Sequence, residues 1–454
     1  MNLKQIAPLI LAVTLLILGC SKSDAPVVTT IGINTTDQYS GEHVRKYFDL
    51  LCTISKSTAG FFPPEVSRAY GYIGIVTYEA VVKGILGAQS LGGQLNGLDA
   101  ATLPKTTTNK KYNWAIVSNT AIAAMIRDMF QGKINAANSA SVDSMEAANL
   151  ASLSAGESTE VVTRSVLFGK DVSAAIYSYS KTDGGDQAYL DPFQLPFQMK
   201  TDSFCWVPTG TTLHPVSPNW GNNRPFLSAN IANTQPSDPI PFSSMPGFAF
   251  YNEAMSVYNQ VKNNTLEQVE ITKYWADDPF NTCTPTGHTF NIMTQLLQEG
   301  RVTLAKTAVA YARLSIAEND AFISCWKGKY KYLLIRPVSY IKKYIDPSFS
   351  TIIGTPPFPA YTSGHSCEMG AGARVYTSMF TDGSGNYQFT DYSQLRYGFQ
   401  ARNYGNFNEI AEECASSRYY GGLHYPMDNN KGLQVGRAIG DNVNHLINWP
   451  LNVH

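Results

Sequence analysis

Apolar residues recur at intervals of three and four along much of the chain, and this periodicity predicts amphipathic helices. The segments that show it are 66–86, 112–130, 145–153, 160–179, 254–263, 290–297, 302–326, 364–380 and 428–447. The strict alternation that predicts half-buried strands is scarce. The pattern therefore predicts an all-α fold, a helical bundle with long connections.

The segment 183–250 interrupts this pattern. It is dense in proline, glycine, asparagine and aromatic residues, including Trp206, Trp220 and Pro225. Such a composition disfavours regular structure and supplies rings that can pack. We therefore expect long ordered loops here, covering the helices that precede them.

The N-terminus has the pattern of an export signal. Lys4 precedes a short apolar run, 6–18, which is followed by Gly19 and Cys20. The run is too short for a comfortable membrane span, and residues 1–19 are predicted to be a signal peptide. Ile17-Leu18-Gly19-Cys20 resembles a bacterial lipobox, so Cys20 is the expected lipidation site. A plain signal peptide or an uncleaved anchor remains open.

This N-terminus sets the expected organisation and location. The small, polar residues after Cys20 predict a lipidated tether over 20–40, followed by a single helical domain over 41–454. The protein is expected to be exported and lipid-anchored to a bacterial outer membrane, facing the periplasm or the cell surface. The lipid is its only predicted attachment to the membrane.

Composition narrows the possible partners. The 454 residues are 44% hydrophobic and 15% charged, as in ordinary globular proteins. The net charge is −1 and no basic tract occurs, so nucleic-acid binding is not expected. Any anion site must be built from a few local cations. Six cysteines follow Cys20 without CxxC spacing, and both disulfides and buried free thiols remain open.

Three short segments between 320 and 430 combine residues suited to binding an anion. The first is Lys329 followed after six residues by Arg336-Pro337, where the proline is expected to end regular structure. The second ends in Thr362-Ser363-Gly364-His365, and Ser363 is a suitable N-cap for the next helix. The third contains Ser417-Arg418, His424 and Asp428.

Together these residues could hold a tetrahedral oxyanion. Lys329, Arg336 and Arg418 supply positive charge, and Ser363 with the Gly364 N–H adds neutral donors at a helix N-terminus. His424 could bond the central atom, and His365 could transfer a proton. Neither histidine has the spacing of a zinc site. Each residue alone has an ordinary structural explanation, but three segments of complementary chemistry rarely arise by accident.

In these segments the chain resembles the vanadium-dependent haloperoxidases and the type 2 phosphatidic-acid phosphatase superfamily. The shared pattern is K-x6-R-P, then P-S-G-H, then S-R-x5-H-x3-D, with Thr362 replacing the proline of the second part. Similar segments extend over roughly 47–449. The resemblance implies a haloperoxidase-like domain, that is, a helical bundle of the haloperoxidase and acid-phosphatase type with the site in its core.

The resemblance also implies a role for each residue. His424 would coordinate vanadate or form a phosphohistidine, and His365 would be the acid–base residue. Asp428 matches the conserved aspartate of the pattern, and Trp326 and Phe358 occupy positions that border the halide region in fungal relatives. The remaining residues would bind equatorial oxygens: Lys329, Arg336, Ser363, Gly364 and Arg418.

Three functions follow, in decreasing order of preference. The first is a vanadate-dependent haloperoxidase that oxidises a halide with hydrogen peroxide. The second is an acid phosphatase that hydrolyses phosphomonoesters without vanadate at the same site. The third is a non-catalytic surface binding protein, which the intact pair His365 and His424 disfavours. The sequence does not predict the oligomeric state.

Overall fold

Helices dominate the part of the chain that the computed structural model describes, residues 35–194, 197–381 and 385–450. In chain order the α-helices are α1 (Glu42–Ser57), α2 (Pro63–Glu79), α3 (Trp114–Met129), α4 (Ala136–Leu153), α5 (Thr159–Ser180), α6 (Ala229–Ala232), α7 (Ala249–Lys262), α8 (Leu266–Tyr274), α9 (Thr284–Glu299), α10 (Leu304–Tyr332), α11 (Pro337–Tyr344), α12 (Gly364–Phe380), α13 (Phe407–Tyr420) and α14 (Pro426–Leu446). Strands β1 (Phe389–Asp391) and β2 (Arg402–Tyr404) pair antiparallel, with Phe389 opposite Tyr404. The predicted all-α class is confirmed.

The predicted signal peptide and the predicted lipidation site at Cys20 lie outside the described residues. Within the described ranges, no helix has both the length and the apolarity that crossing a membrane requires. The described helices belong to one compact unit.

Two buried helices, α2 and α10, form the centre of the bundle. Every residue of α2 is buried, and so is α10 along most of its length. A helix that is buried on all sides must be surrounded by neighbouring elements, and its polar side chains must find partners there. Gly74 of α2 lies against the Ser315 side chain of α10, and the Ser315 hydroxyl donates to the Tyr70 carbonyl at 2.9 Å. The absence of a side chain at Gly74 therefore lets the two central helices approach closely.

A glycine stripe brings α14 equally close to α12. Gly432, Gly436 and Gly440 recur every fourth residue and therefore lie on one face of α14. A Cβ at Gly432 would lie 2.8 Å from the Ser363 carbonyl oxygen, and one at Gly440 would lie 2.6 Å from that of Ala371. This contact holds the N-termini of α12 and α14 side by side, and both carry residues of the second and third sequence segments.

The described part of the long aromatic segment, 183–194 and 197–250, is ordered, as predicted, and a buried carboxylate of α10 fixes part of it. Asp320 accepts hydrogen bonds from the Phe226 N–H at 2.8 Å, the Leu227 N–H at 2.9 Å and the Asn230 side chain at 2.8 Å. Trp220 and Phe226 are fully enclosed. Three donors compensate for the burial of one carboxylate, and the loop is thereby attached to the helix that leads to Lys329.

The structure corrects several predicted element boundaries. Pro337 does not end regular structure but begins α11, because a proline at the first helical position loses no hydrogen bond. The predicted helix 66–86 ends at Glu79. The periodicity found only the second half of α4, whose first half lacks apolar spacing. The predicted segments do not include five of the described helices: α1, α6, α8, α11 and α13.

The contact between α12 and α14 yields a stability prediction. In Gly436→Ala the new Cβ would collide with the backbone carbonyl oxygen of Cys367, so the helices must separate. We expect a loss of at least about 2 kcal/mol in the free energy of unfolding, measured by urea denaturation. Gly354→Ala is the matched control, because nothing lies within 4 Å of its new Cβ and surface changes usually cost under about 0.5 kcal/mol. Equal stability of the two variants would contradict the close approach.

Candidate active site

Lys329 lies in the last turn of α10 and is completely buried. Its ammonium donates to the carbonyl oxygens of Pro359 at 2.9 Å, Ala360 at 3.0 Å and Thr362 at 2.5 Å. These three acceptors match its three protons. Burial, reinforced by the charge of Arg336, lowers the pKa of Lys329 to about 8. Lys329 thus anchors the extended segment that precedes α12, a contact the sequence did not predict.

Arg336 is the residue before α11 and is fully buried. Its Nε donates to the Phe358 carbonyl at 2.8 Å, and its Nη1 to the Leu423 carbonyl at 3.0 Å. Nη1 also lies 3.0 Å from Nε2 of His424. Burial lowers the pKa of Arg336 to about 9. The guanidinium therefore bridges the first and third sequence segments.

The N-terminus of α12 supplies backbone donors beside these cations. Ser363 is the N-cap, as predicted, and its side chain accepts from the Ser366 N–H at 3.4 Å. Its own N–H donates to the Asp428 carbonyl at 3.1 Å, which connects α12 to the start of α14. Gly364 is the first helical residue, and the first N–H groups of a helix have no acceptor within it. The end of α12 is thus suited to an anion.

The hydrogen bonds of His424 determine which ring nitrogen carries the proton. Nε2 faces the Arg336 guanidinium, which can only donate, so Nε2 must be the acceptor. Nδ1 lies 2.9 Å from the Asp428 carboxylate and therefore carries the hydrogen. Burial and then the charges of Arg336 and Lys329 lower the pKa of His424 well below 6.5. The ring is a neutral imidazole with its Nε2 lone pair directed toward the cations.

Asp428 completes this arrangement at the start of α14. Its carboxylate also accepts from the Tyr425 N–H at 3.2 Å. Burial raises the pKa of Asp428 to about 7, against the opposing charges of Lys329 and Arg336. Its contact with Nδ1 fixes the ring orientation of His424, which is how outer-shell carboxylates orient histidine ligands of metals.

His365 and Arg418 are held by the turn that follows α8. Arg418 donates from Nη1 to the Trp275 carbonyl at 2.8 Å, and His365 is hydrogen-bonded to the backbone of Ala276. Burial and then the charge of Arg418 lower the pKa of His365 well below 6.5. Both histidines of the site are therefore neutral in the absence of an anion.

Three buried nitrogen atoms of this cluster have no hydrogen-bond partner: Nη2 of Arg336, Nε of Arg418 and Nε2 of His365. They come from three separate parts of the chain, yet the charges of the three residues act on the pKa of His424. An unsatisfied buried donor costs about 1–3 kcal/mol. Because all three residues lie close enough to His424 to affect its pKa, their unpartnered atoms indicate a site for an anion that accepts from the two guanidinium groups and contacts His365.

Two aromatic rings border the cluster at the positions predicted from the sequence. The Trp326 and Phe358 ring centroids are 5.0 Å apart. The Lys329 ammonium lies 5.1 Å from the Phe358 centroid, as does the Arg336 guanidinium carbon. A cation over a ring face is stabilised by the ring quadrupole, so these rings support the buried charges.

Sequence reasoning missed a charged network behind His365 and Arg418. His288 of α9 contacts Asp277 at 2.9 Å and Asp391 at 3.1 Å. Burial opposes the charge, but the two carboxylates outweigh it and raise the pKa of His288 to about 10. The Trp275 ring stacks on this imidazole at 4.4 Å. The network therefore fixes the turn whose carbonyls hold Arg418 and His365.

A signal for His288 existed in the sequence. The segment Thr284–His288 belongs to the stretches that resemble the family, but nothing in its spacing identifies two distant aspartates as partners. Among the described residues, His, Cys, Asp and Glu side chains form no group of three or more suited to holding a metal ion. The cluster around His424 instead has the donors that an oxyanion requires.

Comparisons with known proteins address the same region and the whole chain. Residues 344–452 match the family model described as "VCPO second helical-bundle domain". This range contains Ser363, His365, Arg418 and His424 but begins after Arg336. The search of curated protein sequences found no match.

Solved structures match nearly the full length. A bacterial vanadium-dependent iodoperoxidase is 30% identical, with 90% of this chain and 97% of that chain covered and a TM-score of 0.80. Holo-type and apo-type structures of a bacterial vanadium-dependent chloroperoxidase are each 12% identical, with TM-scores of 0.65 and 0.67. They cover 87% and 91% of this chain and 93% and 98% of theirs, and they share its fold.

The contrast between the buried histidines yields a pH prediction. At pH 7 we expect a cationic His288 and neutral His365 and His424, read from ¹⁵N chemical shifts of histidine-labelled protein. Because its folded-state pKa of about 10 exceeds the ordinary 6.5, the contribution of His288 to stability is complete below pH 6.5. That contribution is lost as the pH rises toward 10. Asp391→Asn should lower the pKa of His288, whereas a neutral His288 in the wild type would refute the network.

Proposed function

The chain belongs to the vanadium-dependent haloperoxidase family, and we propose that it binds vanadate at His424 and oxidises iodide with hydrogen peroxide. The observation that carries the proposal is that two unpartnered guanidinium N–H groups and the unpartnered Nε2 of His365 are buried near the neutral His424 ring. Vanadate, like phosphate, is a tetrahedral oxyanion whose oxygens accept such hydrogen bonds. Iodide is chosen because the 30% identical relative is an iodoperoxidase.

The residues of this chain fit the proposed cofactor. Nη2 of Arg336 and Nε of Arg418 are free to donate to oxygens, Nε2 of His365 is free to accept a proton, and the α12 N-terminus adds backbone N–H groups. His424 offers an Nε2 lone pair of the kind that coordinates metals, once Arg336 turns to the ligand. When bound, vanadate supplies a Lewis acid that activates peroxide toward a halide.

The protein side chains perform four tasks in this proposal. Lys329 and Arg336 compensate the negative charge of the bound oxyanion and hold the chain segment from Phe358 to Thr362 in place. Asp428 keeps the proton of His424 on Nδ1. His365, with its unpartnered Nε2, can accept a proton from peroxide and return one to the leaving oxygen. Trp326 and Phe358 shield the site from bulk water.

No observation favours the phosphatase alternative, although the same donors would accept phosphate. The test therefore includes it as a separate arm. Full-length protein purified without vanadate is assayed for iodide and bromide oxidation before and after vanadate addition, and for nitrophenyl phosphate hydrolysis without vanadate. Halide oxidation that depends on added vanadate supports the proposal. Phosphate-ester hydrolysis alone would replace it with the phosphatase function.

A substitution at the coordinating residue tests the assignment of the site. His424→Ala should weaken vanadate binding by more than about 100-fold and abolish halide oxidation, since losing outer-shell partners alone typically costs 10–100-fold. Binding is followed by ⁵¹V NMR. The matched control is His445→Ala on the same helix, where the ring is exposed and should leave both properties unchanged. Retained turnover in His424→Ala would disprove the assignment.

We also propose that the protein is an exported lipoprotein of the outer membrane, supported by the basic, apolar and lipobox-like parts of residues 1–20. Cys20→Ser should abolish incorporation of labelled fatty acid and move the protein from the membrane fraction to the soluble fraction of a bacterial host. Cys205→Ser, which leaves Cys20 in place, is the control. A Cys20→Ser protein that is still lipidated would exclude this anchor.

A further inference from the structure

The described cysteines are unusually arranged. All six are buried free thiols, and four of them form two pairs in which one polar side chain, Asn291 or Thr362, lies within 3.5 Å of both sulfurs. The pairs are Cys52 with Cys283, and Cys325 with Cys367. Each joins elements that are distant in sequence, so each pair could become a disulfide crosslink between elements.

The second pair lies directly beneath the oxyanion site. Cys325 is one turn before Lys329 on α10, and Cys367 is two residues after His365 on α12. The Thr362 hydroxyl lies 3.5 Å from the sulfur of each cysteine. The Cys325 thiol also donates to the Thr362 carbonyl at 3.4 Å, the same oxygen that accepts from Lys329. One residue thus connects the thiol pair to the ammonium that anchors the site.

The electrostatic environment favours oxidation at Cys325. Burial alone would raise the pKa of this thiol, but the hydrogen bond from Cys367 and the charge of Lys329 outweigh it and lower the pKa to about 7. Burial raises the pKa of Cys367 well above its ordinary value. One sulfur is therefore the better nucleophile toward an oxidant, and its neighbour is a thiol positioned to resolve the product.

We propose that Cys325 and Cys367 are a site of oxidative modification, at which hydrogen peroxide forms a disulfide that weakens the oxyanion site. The sulfur of Cys325 attacks a peroxide oxygen, the O–O bond breaks, and hydroxide leaves and is protonated to water. The sulfenic acid formed is attacked by the Cys367 sulfur. The S–O bond breaks, and the departing hydroxide takes up the remaining thiol proton. Two thiols and one hydrogen peroxide thus give one disulfide and two waters.

The effect on the site follows from the position of Thr362. Disulfide formation removes the S–H group of Cys325 that donates to the Thr362 carbonyl, and it draws the two sulfurs that contact the Thr362 hydroxyl together to about 2.0 Å. The displacement moves the carbonyl that Lys329 holds, and with it the cap residue Ser363. We expect the affinity for vanadate to fall at least about tenfold, since small displacements of outer-shell groups have effects of this size.

This inference rests on the proposed function only for the source of the peroxide and for the ligand used as probe. The experiment supplies both. Full-length protein is reduced, freed of reductant, exposed to hydrogen peroxide and alkylated, and the Cys325–Cys367 peptide pair is identified by mass. Vanadate affinity is measured by ⁵¹V NMR before oxidation, after it, and after re-reduction. We expect the disulfide to form, the affinity to fall, and reductant to restore it.

Paired variants separate this site from other oxidation. Cys325→Ser/Cys367→Ser should bind vanadate with the same affinity before and after peroxide. Cys52→Ser/Cys283→Ser, which removes the other buried pair, should retain the peroxide-dependent loss. Because the wild-type protein is itself compared before and after re-reduction, the result does not depend on the variants folding.

The thermodynamic linkage between disulfide formation and vanadate binding provides a second measurement, which involves no turnover. If the disulfide weakens vanadate binding tenfold, vanadate must stabilise the dithiol by the same factor. Saturating vanadate should therefore raise the reduction potential of the pair by about 30 mV. Any of three results would overturn the proposal: recovery of both thiols, over-oxidation without a disulfide, or a disulfide that leaves the affinity for vanadate within twofold of the reduced protein. A reduced protein that binds no vanadate would instead refute the proposed function, while the peptide masses would still decide whether the disulfide forms.

Discussion

Three buried cations that form no ion pair within 4.0 Å to any carboxylate of the described residues are the constraint around which this site is built. Lys329, Arg336 and Arg418 are at most 1% exposed, and their charges all act on His424. Burial lowers the pKa of each, which means that the protein environment opposes the charged forms. A bound oxyanion stabilises the charged forms of the three residues. Relief of the unfavourable burial of these charges therefore contributes to the affinity for a compact anion.

The protein maintains this cluster with backbone groups. Carbonyl oxygens accept from Lys329, Arg336 and Arg418, and they neutralise no charge while satisfying donors. Carboxylates in the same places would form ion pairs and remove the attraction for a ligand. The carboxylates that are present serve other partners: Asp428 contacts His424, and Asp277 contacts His288. Positive charge is thereby kept available at the centre of the bundle.

The sequence predicted the site more fully than the helices around it. Ser363 was identifiable because capping requires a particular side chain at a particular place, and the structure has it as the N-cap. The helix carrying Arg418 was missed although its buried residues recur every three or four positions, because most of that buried face consists of small or polar side chains. Pro337 was misinterpreted because a proline can either stop a preceding helix or occupy the first position of the next one, and the local sequence does not distinguish the two cases. The carbonyl partners of Lys329 and the aspartates around His288 depend on tertiary contacts that no local pattern records.

The contact between Arg336 and His424 shows why the site can remain folded without a ligand. In that state Nη1 of Arg336 donates to the Nε2 lone pair, which is thereby hydrogen-bonded rather than buried unpaired. Coordination at Nε2 must displace this donor, which can then turn to an oxygen of the ligand. Binding consequently exchanges hydrogen bonds at this position and adds new ones at the three unpartnered nitrogen atoms and at the backbone N–H groups that begin α12. Selectivity must therefore come from those groups, because a ligand that reaches only Nε2 of His424 would lose one contact for each one it forms.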